Sequence, residues 1–108
     1  MLVIELDATG WQSFQDFNKA LKAALGSCDG HGNSIDAWID SIIYGGMNEV
    51  EAPYVVWITG TAGCDVTLKE ELVTFSEAIS QARAWKLKHH GIDVDVSFRI
   101  RDGSRPSD

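Results

Sequence analysis

The apolar positions of this chain switch between a two-residue and a three-to-four-residue rhythm. Leu2, Ile4 and Leu6 alternate with Val3 and Glu5, which predicts a strand over Leu2–Leu6 ended by Asp7-Ala8-Thr9-Gly10. Phe14, Phe17, Leu21 and Leu25 then mark one face of a helix. Ser13-Phe14-Gln15-Asp16 resembles a capping box, and Gly26 suits the left-handed residue after the last turn. Ser27–Asn33 is a loop by composition. Ile35, Trp38, Ile39 and Ile42 form a second, shorter stripe, with Ser34 as its cap and Tyr44-Gly45-Gly46 as its stop. Met47–Pro53 reads as an irregular acidic loop.

Tyr54–Thr59 is β-rich and apolar on both sides, the pattern of a central strand. Gly60–Gly63 is a turn, and Asp65 caps a long helix reaching about His90. Leu68, Leu72, Phe75, Ile79 and Ala82 are its buried stripe, while Val73, Glu77, Gln81 and Trp85 lie on its far side. Lys86 and Lys88 complement the dipole of its last turn, and Gly91 closes it. Ile92–Arg101 alternates strictly, predicting a strand with one wet face, and Asp102–Asp108 reads as a disordered tail.

The order is strand, two helices, strand, long helix, strand. Connections of this length permit right-handed crossovers, so all three strands are expected to be parallel. The doubly apolar strand belongs in the middle, giving order 1-2-3 with helices mainly on one face. This is a two-layer α/β fold in a single domain over residues 1–101.

Composition adds limits. With 108 residues, 44% hydrophobic and 23% charged, the chain reads as one soluble globular domain. No membrane span or signal peptide is legible, so a cytoplasmic location is expected, with Cys28 and Cys64 as free thiols. The net charge of −7 is uneven. No Lys or Arg stands between Lys22 and Lys69, an interval containing Asp29, Asp36, Asp40, Glu49, Glu51 and Asp65. Such a field repels phosphates, which argues against nucleic-acid binding, and it attracts a basic protein. Acidity that merely keeps the chain soluble is the plainer reading of charge alone.

Asp36 and Asp40 stand four apart on the flank of the short stripe. Like charges at that spacing cost a few tenths of a kcal/mol in a helix. Asp36 gains from the helix dipole in the first turn, but Asp40 does not. Side by side without a nearby base, they are suited to a cationic partner. As general acid and base they would need a cleft that separates their pKa values, and no nucleophile elbow or phosphate loop accompanies them. Cys28-Asp29-Gly30-His31 has Cys-x-x-His spacing, but Cys64 and His89-His90 lack the paired spacing of a structural zinc site. Neither a metal nor a cofactor is expected. Trp38 and Trp57 are expected in the core, Trp11 against the first helix, and Trp85 partly exposed.

The segment Gly32–Ile42 resembles the barstar family, intracellular inhibitors of secreted barnase-like ribonucleases, whose pattern is Gly-x-Asn-x-Asp-Ala-x-x-Asp-x-Leu. Gly32, Asp36, Ala37, Asp40 and Ile42 fall in place. The helix Phe14–Leu25, the strand Tyr54–Thr59, Phe75-Ser76-Glu77-Ala78 and the final strand follow in the family's order. The resemblance implies a non-enzymatic inhibitor or immunity protein, monomeric and without cofactor. It would plug the active site of a basic extracellular-type ribonuclease or related nuclease toxin. Asp40 would then be the principal phosphate mimic, Asp36 its partner, and Glu77 a contributor from the long helix. The implied contact set also includes Gly30, His31, Asn33, Ser34, Ile39, Tyr44 and Gln81.

The chain departs from the family pattern at several positions. Ser34 stands at the motif Asn, with Asn33 one place earlier, and Gly30-His31 replaces an aromatic pair. Ile39 stands where the family presents a Trp, Trp38 where a core Leu is expected, and Gln81 at a second acidic position. The loop Tyr44–Pro53 is longer. The alternative is a binding module of the same fold with a partner other than a ribonuclease.

Overall fold

The computed structural model describes residues 2–26, 34–44 and 50–101. The elements are strand β1 (Leu2–Asp7), helix α1 (Phe14–Leu25), helix α2 (Ile35–Ile39) running into a π-helical turn (Asp40–Tyr44), strand β2 (Tyr54–Thr59), a 3₁₀ turn (Thr61–Gly63), helix α3 (Val66–His90) and strand β3 (Val96–Ile100). The three strands are parallel in the order β1-β2-β3. Leu6, Val56, Ile58, Val96 and Phe98 turn to the buried face of the sheet, and Phe17, Leu21, Leu25, Leu68, Leu72, Phe75 and Ile79 meet them from the helices.

Phe75 is the hub of this core. Its ring lies 5.0 Å from Phe17 of α1, 6.5 Å from Trp38 of α2 and 4.9 Å from Phe98 of β3, the three rings set nearly edge-on. One fully buried ring thus ties four elements together, each pair contributing about 0.5–1.5 kcal/mol beyond its burial. The Trp11 ring lies 5.8 Å from that of Phe17, tilted by 60°, and anchors the approach to α1.

The helix ends follow from their sequences. The Asp16 carboxylate accepts backbone N–H groups from Gln12 (2.7 Å) and Ser13 (3.3 Å), satisfying donors ahead of the first turn of α1. Ser34 Oγ accepts the Ala37 N–H at 3.1 Å, and Asp65 Oδ1 accepts that of Leu68 at 2.8 Å. Gly26 and Gly91 terminate α1 and α3 in the left-handed conformation.

Two boundaries differ from the expected pattern. The alternation from Ile92 predicts a longer last strand, yet β3 begins at Val96. Arg83 of α3 binds Asp93 at 2.6 Å and Asp95 at 3.2 Å, drawing this approach toward the helix. A tight turn, Val96 N–H to Val94 C=O at 2.8 Å, breaks the extended run, and Ile92 is left half exposed. The short helix is also not uniform. At Asp40 its hydrogen bonding relaxes to the π form, and the wider turn brings Ser41, Ile42 and Ile43 inward in succession.

Central placement of β2 agrees with its sequence, but its outer face is covered in an unexpected way. Val55 and Trp57 lie on the face alternate to the buried Tyr54, Val56 and Ile58, so Trp57 is half-buried on the outer side of the sheet and not in the core where the sequence led one to expect it. The guanidinium groups of Arg101 and Arg99, 4.5 and 5.9 Å from the Trp57 ring, cover that side.

Candidate binding surface

Trp38 holds α2 in place. Its ring is fully buried, and its indole N–H donates to Asn18 Oδ1 of α1 at 2.7 Å. Asn18 is itself 1% exposed. With Trp38 inward, Asp36 and Asp40 turn to solvent on the other flank, and Ile39 is half buried between. The Trp at position 38 therefore packs in the core, as expected. The outward side of α2 carries carboxylates and Ile39 rather than an aromatic ring.

The far end of the segment is held differently. Lys86 of α3 donates through Nζ to the Ile43 carbonyl at 2.9 Å and lies 5.3 Å from the centre of the Tyr44 ring. The ammonium group thus meets a carbonyl at the end of the helical segment, where the backbone dipole is negative. Tyr44 stays half exposed beside it.

Charge on this surface is unbalanced. Among the described residues neither Asp36 nor Asp40 takes part in an ion pair or accepts a side-chain hydrogen bond, and both are exposed. The described ion pairs, Arg83 with Asp93 and Asp95, lie at the β3 side of α3 instead. There the Arg83 guanidinium, chiefly through its hydrogen bond, holds the Asp93 carboxyl below the usual range.

The remaining candidate residues fall as follows. Ser34 caps α2 and its residue is exposed. Glu77 and Gln81 are exposed on α3, one turn apart, and α3 packs directly against α2. Gly30, His31 and Asn33 lie outside the described residues, as do Cys28 and most of the loop after Tyr44. Cys64 is a buried free thiol whose pKa burial pushes up. Among the described residues no group of three His, Cys, Asp or Glu side chains is placed to hold a metal ion, and no helix is long and apolar enough to cross a membrane.

Sequence reasoning passed over Asn18 and Lys86 as the residues that hold this segment in place. Asn18 was accessible to it, since it stands four residues after Phe14 and one after Phe17 on the buried side of α1. Lys86 gave no such signal, because its acceptor lies 43 positions away. Glu70 and Glu71 line a groove with Ser34 and Ile35 at the start of α2.

This geometry meets an independent observation. A family model described as Barstar (barnase inhibitor) matches residues 1–99. The chain belongs to the barstar family. Members of the barstar family are inhibitors of barnase-like ribonucleases and not themselves enzymes, and the three parallel strands in order β1-β2-β3 with their helices are consistent with a barstar-like fold. No curated protein gives a significant match.

Proposed function

We propose that this protein inhibits a basic, extracellular-type ribonuclease by laying α2 over its active site, one inhibitor to one nuclease. Asp40 takes the place of a substrate phosphate and Asp36 supports it. Glu77 and Gln81 meet the rim from α3, and Ser34, Ile39 and Tyr44 border the carboxylates, with Gly30, His31 and Asn33 in the preceding loop. The observation that carries this reading is the exposed Asp36–Asp40 pair without an intramolecular cation among the described residues. A carboxylate already paired would have to give up its partner before meeting a nuclease Lys or Arg. An unpaired one keeps its whole charge for the encounter and for the hydrogen bonds that follow. Acting in the cytoplasm, such an inhibitor is an immunity protein for the cell that makes the nuclease.

The test is titration of a barnase-type ribonuclease with the protein while RNA cleavage is followed. Inhibition should saturate at one equivalent and weaken as salt rises. Asp40→Ala should weaken it at least tenfold, about 1.4 kcal/mol. An Asp40→Ala variant as potent as the wild type refutes the mimicry.

Ile39 and the inward Trp38 favour a second reading, in which the same carboxylates meet a basic protein that is not a ribonuclease. Under it, a panel of ribonucleases shows no inhibition at micromolar protein.

A further inference from the structure

The sheet face opposite the helices carries an ordered charge pattern. On β1 the outward side chains are Val3, Glu5 and Asp7, on β2 Val55, Trp57 and Thr59, and on β3 Ser97 and Arg99, followed by Arg101. The register aligns them in rows. Val3, Val55 and Ser97 form one row, and Glu5, Trp57 and Arg99 the next. Asp7 pairs with Thr59, and the Arg101 N–H bonds to the Ile58 carbonyl at 2.8 Å, which brings Arg101 to the third row. One edge is therefore acidic and the other basic, with the two guanidinium groups leaning over Trp57 at the centre. Val3 is 55% exposed. Glu5, Arg99 and Arg101 have no ion pair among the described residues.

We infer that this face docks on the same face of a second copy of the chain, about a two-fold axis running parallel to the strands over β2. That rotation carries the β1 edge of one copy over the β3 edge of the other while keeping each residue at its own height. Glu5 of each copy then faces Arg99 of the other, Asp7 faces Arg101, and Val55 meets Val55 across the axis. A two-fold axis across the strands would instead set β1 over β1 and β3 over β3, like charge on like. Charge alone thus selects one of the two face-to-face arrangements. The contact is isologous, as a closed dimer requires.

Aligned sheets cross at about 30° and lie about 10 Å apart, a span that long charged side chains at the edges can bridge. The guanidinium groups over Trp57 are planar and weakly hydrated, so they can remain stacked on the indole while meeting a carboxylate. Three strands of about 4.8 Å spacing and some 20 Å length make a small patch, well below the roughly 800 Å² per partner of a stable complex. The dimer is accordingly weak and salt-sensitive, although a monomer was expected from the sequence. It leaves α2 free, because the helices lie on the other side of the sheet, so its failure would not touch the inhibitor reading.

The experiment is sedimentation velocity on the full chain between about 20 μM and 1 mM at low salt, with the single variants Glu5→Arg and Arg99→Glu and the double variant carrying both. The wild type should show a concentration-dependent rise in sedimentation coefficient that salt removes. Each single variant places like charges opposite one another and should stay monomeric. The double variant, and an equal mixture of the two single variants, should associate again. Both positions are exposed, so the variants should melt within a few degrees of the wild type, which circular dichroism checks. A wild type monomeric at 1 mM, or singles not rescued by mixing or by the double variant, overturns the proposal.

Discussion

Replacing Trp38 by Phe tests what holds the carboxylate helix to the domain. The substitution keeps an aromatic ring opposite Phe75 but removes the N–H that reaches Asn18 Oδ1 at 2.7 Å. Both residues are buried, so the Asn18 oxygen loses that donor where water cannot replace it. Losing one partner of a buried hydrogen bond costs about 1–3 kcal/mol. The smaller ring leaves about 40 Å³ unfilled, which at about 24 cal/mol per Å³ adds about 1 kcal/mol. Trp38→Phe should therefore destabilise by about 2–4 kcal/mol, on the order of 10 °C in Tm for a domain of this size.

The companion variant, Asn18→Leu, takes that acceptor from the indole N–H instead and should cost about 1–3 kcal/mol. The double variant removes donor and acceptor together, so both penalties drop out and its cost should fall short of the sum by about 2–6 kcal/mol. Other contacts of Asn18 are lost equally in the single and double variants and cancel from the cycle. Urea denaturation followed by far-UV circular dichroism measures all four proteins, with unchanged m-values as the check that only stability moved. Costs that add to within about 0.5 kcal/mol would show that the two side chains are not coupled.

Other consequences can be checked in the same assay. Gly60 has a φ of +70°, and an added Cβ would sit 2.5 Å from Asp7 Oδ1 and 2.6 Å from Thr9 Oγ1, so Gly60→Ala should lose more than about 1 kcal/mol. The Asp93 carboxyl has a pKa lowered by Arg83, so its contribution to stability is present above the unfolded-state carboxyl pKa and is lost as pH falls through the folded value. The difference in urea midpoint between wild type and Asp93→Asn should accordingly be constant near neutrality and shrink in acid, and a difference independent of pH would contradict the pairing. Lys86→Met should free the Ile43 carbonyl and cost about 1 kcal/mol, with weaker ribonuclease inhibition if Tyr44 moves with it.

Local rhythm was enough to place most elements. The stripe from Phe14 to Leu25, the stripe from Leu68 to Ala82 and the doubly apolar Tyr54–Thr59 each became the expected helix or strand, because burying one face is a demand that neighbouring residues meet together. The caps Ser34 and Asp65 were equally legible, since donor and acceptor lie three residues apart. Ile92–Asp95 kept the alternation of a strand but not the structure. Arg83, ten residues from Asp93 in the chain, competes for its carboxylates.

The candidate site divides in the same way. The spacing that sets Asp36 and Asp40 on one flank of a helix is written in the sequence, because 3.6 residues per turn places positions four apart together. Several facts came only with the tertiary fold. Trp38 finds Asn18 on another helix, Lys86 finds the carbonyl of Ile43, and Arg99 and Arg101 settle over Trp57. That no described Lys or Arg reaches the two aspartates belongs with these. A carboxylate's partner is set by what the folded chain brings within a few ångströms, and residues remote in sequence decide that.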